Sequence, residues 1–358
     1  MLERSLLYFP CRHHIYEIYL KAAFEIKIPH SPGPKILLFS RFNDKWPEID
    51  KSNFKSLIDD DDFDNFEIDI PELLNFIKGV LNQRQPRDDY EEFLKLTMVI
   101  LGETESVKFR APGAYNKTRW MAKAIYTLKI YLFREQFDLS PSEENSLREL
   151  CIFIVKLYVR VWFTVPMPHK APQYDLKFVK DVIDFEKIDA DISKAVLRKI
   201  ENHLWYLIPK NACLAFFDED ICIEHKRKML EALGKENLLA EGAKRLKVAN
   251  IYDLKEKEIY DFINVKTNTL WERLELPDDF LGEDPMYWEG SKSYQSSHNV
   301  IKKIKVINDA AERGVKLISE YEKVLTFDEE QRQSIMQTVA EYRKRFKKID
   351  KQSMSQSF

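Results

Sequence analysis

Nine glycines in 358 residues constrain this chain more than any other feature. β-rich folds spend glycine on the tight turns between strands, whereas here long stretches carry neither Gly nor Pro, which favours helices. The content of 44% apolar and 13% aromatic residues suffices for a sizeable core, and the length allows two domains. The expected fold class is therefore mainly α, or α with a minor sheet.

Charge is abundant but balanced, with 56 basic against 59 acidic side chains and a net charge of -3. A global field cannot then drive phosphate binding, and any nucleic-acid contact must come from local patches. The cysteines, Cys11, Cys151, Cys213 and Cys222, are too few and scattered for a disulfide framework, which suits a reducing compartment, the nucleus or alternatively the cytoplasm. No apolar run approaches the ~20 residues of a spanning helix, and the N-terminal stretch meets Pro10, Arg12 and two histidines too soon for a signal peptide. No membrane role is expected.

Helical periodicity places a first helix at roughly Ser5 to Lys27, and further helices at Pro71 to Leu81, Asp88 to Leu101, Lys117 to Arg134, Pro141 to Val165, Leu176 to Phe185 and Ile192 to Tyr206. Asp59 through Asp64 reads as a solvated acidic loop, and Leu214 to Phe217 as the best strand candidate. Trp271 to Ser297, with its prolines, glycines and serines, reads as a long loop and the interdomain linker. Amphipathic helices follow from Ile301 to Ile318 and from Asp328 to Lys348.

Four local features carry possible chemistry, each beside a plainer structural account. Cys11 and His14 form a C-x-x-H step at helical i, i+3 spacing, repeated at Cys222 and His225. The two pairs could complete a four-ligand zinc site, whereas the plainer account is a buried thiol and a core histidine. Arg119 and Trp120 open a helix after Ala111-Pro112-Gly113-Ala114 and could hold a phosphate and stack a base, or be a core tryptophan beside a snorkelling arginine. Glu312 and Arg313 sit on a late helix whose Gly314 costs roughly 1 kcal/mol against alanine, suggesting close approach; an i, i+4 contact of Glu312 with Lys316 is the plainer account. Arg343 to Lys348, with Tyr342 and Phe346 interleaved, could touch a phosphate backbone or simply end a solvated helix.

The order of these motifs resembles that of hAT-superfamily DNA transposases: C-x-x-H, then Arg-Trp at the head of a helical insertion, then Glu-Arg on a late helix. Leu6 to Glu17 is also similar to a group of transposon-derived animal proteins, as are Gly113 to Tyr126, His203 to Leu207, Leu214 to Asp218 and Asn308 to Val315. The resemblance implies an all-helical insertion domain with a partial RNase H-like (α/β) remnant. By the same resemblance Glu312 is the catalytic glutamate, Arg119, Trp120 and Arg313 contact DNA, and Cys11 and His14 brace the core.

In that family two aspartates precede the C-x-x-H step and share divalent metal with the glutamate. This chain begins ten residues before Cys11, so the expectation is a truncated, catalytically inactive fragment that retains DNA or partner binding. Neither a metal ligand nor a cofactor is expected in it, Mg2+ or Mn2+ belonging only to a complete enzyme. Transposon-end DNA and self-association are the expected partners, and a helical protein-interaction scaffold without a nucleic-acid role is the alternative. The expected domains are 1–110 (RNase H-like remnant and acidic loop), 111–270 (insertion), 271–298 (linker) and 299–350 (C-terminal helices).

Overall fold

The structure, a computed structural model, describes residues 7–28, 36–61, 63–104, 108–112, 121–236 and 244–307, with isolated positions between 317 and 331. It is mainly helical, with no strand among the described residues. The α-helices are α1 (Arg12–Lys27), α2 (Leu37–Lys45), α3 (Ile70–Leu81), α4 (Asp88–Ile100), α5 (Met121–Leu132), α6 (Pro141–Phe153), α7 (Val159–Thr164), α8 (Ala171–Asp184), α9 (Ala190–Ile200), α10 (Pro209–Ala212), α11 (Ile223–Ala232), α12 (Thr269–Leu274) and α13 (Lys292–Ile301). None is long and apolar enough to cross a membrane.

The chain forms two compact units, residues 1–28 with 152–308 and residues 29–151 with 309–358. In the first, α1 packs along α9. Tyr16, Tyr19, Ala23 and Phe24 of α1 are buried, as are Ile192, Val196 and Ile200 of α9, each set at the three- and four-residue spacing of one helical face. Asp189 caps α9 by accepting from the N–H groups of Asp191 and Ile192, and Lys27 at the last turn of α1 reaches the same carboxylate at 2.6 Å.

Pro10 and Cys11 delay α1 to Arg12, whose backbone N–H donates to the carbonyl of Val306 (2.8 Å). The Arg12 guanidinium is fully buried. It donates to the Val165 carbonyl just past α7 (3.1 Å) and to Asp175 on α8 (2.5 Å), and lies over the rings of Tyr16 and Tyr206. Burial alone would lower its basicity, but Asp175 and the neighbouring phenols raise it, so the charge is held in place.

In the second unit α5 is buried on nearly every side, the mark of a central helix, and α4 packs against it. Phe39 of α2 stacks on Tyr126 of α5 with ring centroids 4.7 Å apart. Residues 55–57 cap two helix ends at once, because Lys55 N donates to Leu132 O (2.9 Å) and Leu57 N to Ile100 O (3.1 Å). Gly102 follows α4 at φ +86°, a left-handed conformation that glycine adopts without a Cβ penalty.

Several elements differ from the sequence reading. The acidic stretch is not simply a solvated loop: Asp60 accepts from Arg134 (2.8 Å), Arg148 (3.1 Å) and the hydroxyl of Tyr131. Leu214 to Phe217 belongs to a 3-10 turn, Cys213–Phe217, rather than a strand, since a short run buried on all sides has no periodicity to separate the two. Trp271 to Ser297 is not an open linker. It holds most of α12, two 3-10 turns and the start of α13, and buries Trp271, Phe280, Trp288 and Tyr294 against Phe216 and Phe217. Its prolines are compatible with this order, because Pro285 opens a 3-10 turn where its missing N–H costs nothing.

Ile301 ends α13, and residues 302–307 are not helical where a helix was expected to begin. Residues 1–110, expected to hold the RNase H-like remnant, contain α1 to α4 and no strand among those described. The expected helix from Pro141 to Val165 is interrupted by a π-helical turn, Ile154–Tyr158.

Candidate metal centre

Three segments of the first unit bring His169, Glu219 and His298 together. His169 lies in Val165-Pro166-Met167-Pro168-His169-Lys170, where Pro166 follows the end of α7 and Pro172 sits in the first turn of α8. Glu219 lies in the turn after the 3-10 segment, shaped by Asp218, whose Oδ1 accepts from the Asp220 N–H (3.0 Å). His298 is carried by α13, which Ser297 pins by donating to the Pro277 carbonyl (2.7 Å). The His298 ring stacks on Phe217 at 5.8 Å and lies against Tyr294 at 5.4 Å, so the aromatic cluster orients it.

One nitrogen of each imidazole and one Glu219 oxygen lie within 4.8 Å of one another, and they are the single such group of three or more His, Cys, Asp or Glu side chains among the described residues. His169 Nε2 is 3.3 Å from Glu219 Oε2, and the two imidazole rings meet edge to face at 5.6 Å. Buried His169 Nδ1 and His298 Nε2 have no hydrogen-bond partner. A buried polar atom left so costs about 1–3 kcal/mol.

Electrostatics keep both rings neutral. Burial lowers His169 to about 4, helped by His298, Lys302 and Lys170 and opposed by Glu219. Burial and Lys302 also lower His298. Burial would raise the Glu219 carboxyl, but its own backbone N–H, Lys170, His169 and Lys302 together pull it down, so it stays ionised. Asp218, wholly buried, is pushed up to about 6 by desolvation. Lys170 joins the carboxylates, 2.6 Å from Asp220 and 3.5 Å from Glu219. Two neutral imidazoles beside one carboxylate make a donor set for a divalent transition metal.

No protein family, curated protein or solved structure matches the chain. The functional residues named from sequence fare differently. Arg119, Trp120, Glu312, Arg313 and the basic stretch Arg343 to Lys348 lie outside the described residues. Cys11 is half-buried at the N-cap of α1 and His14 is exposed, while the buried residues of that turn are Arg12 and His13, the latter stacked on Trp162 at 4.4 Å. The core histidine of the plainer reading is thus His13 rather than His14. Cys222 is exposed at the N-cap of α11 and His225 sits edge to face with Tyr260. Cys11, His14, Cys222 and His225 form no four-ligand group.

His169, Glu219 and His298 were not singled out from sequence. His298 falls in the expected linker, and Glu219 follows the expected strand with no motif around it. No local spacing links three residues so far apart, and only a search for every histidine facing an acid could have found them.

Proposed function

We propose that this chain is a non-cleaving, helical binding protein of hAT-transposase descent. Residues 111–270 correspond to the helical insertion domain and residues 1–110 to a partial RNase H-like remnant, a correspondence drawn from the motif resemblance alone. The observation that carries the reading is that two segments of the resemblance, far apart in sequence, fold against each other. Tyr8 meets Trp205 edge to face at 6.3 Å, Tyr206 donates to the Pro10 carbonyl (2.7 Å), and Arg12 lies over the Tyr206 ring. A third, Leu214 to Asp218, forms the aromatic core beside Asp218 and Lys170. Shared segments that build one core are expected of a common fold rather than of chance similarity.

The ligand on this reading is DNA, held by Arg119, Trp120 and Arg313, with Glu312 the vestige of the catalytic set. Fluorescence anisotropy with plain and hairpin-ended duplexes across a salt series tests it. The expected result is binding that weakens steeply with salt, a slope smaller by roughly one in Arg119→Ala, and no strand cleavage in Mg2+ or Mn2+. Absence of DNA binding at low salt sinks the reading.

One observation favours a helical interaction scaffold instead. Leu317, Tyr321, Val324 and Leu325 are helical, follow an i, i+4, i+7, i+8 spacing, and are 66%, 65%, 83% and 53% exposed. If this stripe mediates self-association, sedimentation shows an oligomer that Val324→Glu dissociates, with little dependence on salt.

A further inference from the structure

We propose that His169, Glu219 and His298 bind one zinc ion, independently of any role in DNA binding. The three donors come from the turn before α8, the turn after Phe217, and α13, and they already lie within 4.8 Å of one another. Zinc bonds of about 2.0–2.2 Å place tetrahedral donors roughly 3.5 Å apart, so the group must contract by about 1 Å. His169 Nε2 and Glu219 Oε2 are already 3.3 Å apart, so the contraction is between His298 and that pair, and the half-exposed Glu219 side chain has room to follow it.

The unpartnered imidazole nitrogens are the second observation. A histidine kept for packing alone would satisfy its buried nitrogen with a neighbouring carbonyl or hydroxyl, yet His169 Nδ1 and His298 Nε2 have no such partner. The His298 ring is held by aromatic faces and an ion at its Nε2 would be the missing partner, while His169 would offer Nε2, the nitrogen 3.3 Å from Glu219. Lys170 is the competitor for Glu219, but it keeps Asp220 at 2.6 Å and Asp218 at 4.0 Å when Glu219 turns to a metal.

Imidazole donors select against Mg2+ and Ca2+, which take oxygen, and favour Zn2+ and its spectroscopic substitute Co2+. Three protein donors leave the fourth position to water, as in open zinc sites. Because the donors come from three separate segments, the bound ion ties them together and stabilises the fold by mass action.

The experiment uses the full chain, freed of metal with a chelator, titrated with Zn2+ by calorimetry and with Co2+ by visible absorption. Wild type is expected to take up one ion per chain at micromolar concentration, to show tetrahedral Co2+ bands without thiolate charge transfer, and to unfold at a higher temperature with zinc. Glu219→Gln and His298→Phe are chosen because the first preserves shape and the second preserves the stack on Phe217 and Tyr294. Each should weaken binding by about tenfold or more and leave the metal-free unfolding temperature unchanged. The proposal is overturned if no ion binds at micromolar concentration. It is equally overturned if both variants bind as wild type does, or if a thiolate band shows that Cys11 or Cys222 holds the ion.

Discussion

At the scale of single residues, burial sets two titrations against each other in the first unit. In the metal-free fold His169 stays neutral down to about 4, whereas its unfolded value is 6.5. Between those values the unfolded chain binds more protons, so this residue makes stability fall as pH drops. Asp218 acts in the opposite sense. Its folded value of about 6 exceeds the unfolded 3.8, so between them the folded chain holds the extra proton and gains stability on acidification. Asp218→Asn can still accept from the Asp220 N–H but cannot titrate, so the contribution that opposes His169 is removed. Its unfolding temperature, followed by circular dichroism without metal, should fall more steeply than wild type between pH 6 and 4 and should equal or exceed wild type near pH 8. Parallel curves for the two proteins would mean that Asp218 ionises normally.

Among the elements, α1 depends on a buried cation as well as on its apolar stripe. Arg12 ties the first turn of α1 to Val165 beyond α7 and to Asp175 on α8, where Tyr16 also donates to Asp175 Oδ1 at 2.8 Å. Removing the guanidinium leaves the Asp175 carboxylate without its cation and the Val165 carbonyl without a donor. Arg12→Ala should therefore lose about 3–5 kcal/mol in urea unfolding, the range for breaking a buried ion pair. Arg12→Met fills the space but leaves the same carboxylate, and it should recover only part of the loss. A loss below about 1 kcal/mol for Arg12→Ala would show that water replaces the arginine. The second unit has an equivalent junction at Asp60, where Arg134 and Arg148 converge from two elements. An acid run in a sequence does not announce which of its members will be paired in this way.

For the whole molecule, protection should follow enclosure rather than helix length. The amides of α5 and of the 3-10 turn Cys213–Phe217 are surrounded by core, whereas α3, though as long as α5, buries only Leu73 and Ile77 among its side chains. Native-state hydrogen exchange should be slowest in the first two and at least about tenfold faster in α3. Equal protection across the three would mean that opening is global.

What the sequence by itself determined was the helical character and the position of most long helices. The boundaries of α3 and α4 fall within a residue of expectation, because amphipathic periodicity, Pro71 in a first turn and Asp69 as a cap are local signals that packing has no reason to override. Tertiary structure alone decided the rest. Whether Leu214 to Phe217 became a strand or a turn depended on Trp271, Trp288 and Tyr294 arriving from a segment whose glycines and prolines had read as a linker. Asp60 acquired its partners, and His169 its neighbours Glu219 and His298, only when distant segments met. A donor set is defined by distances of a few ångströms, and residues far apart along the chain acquire such distances only through packing.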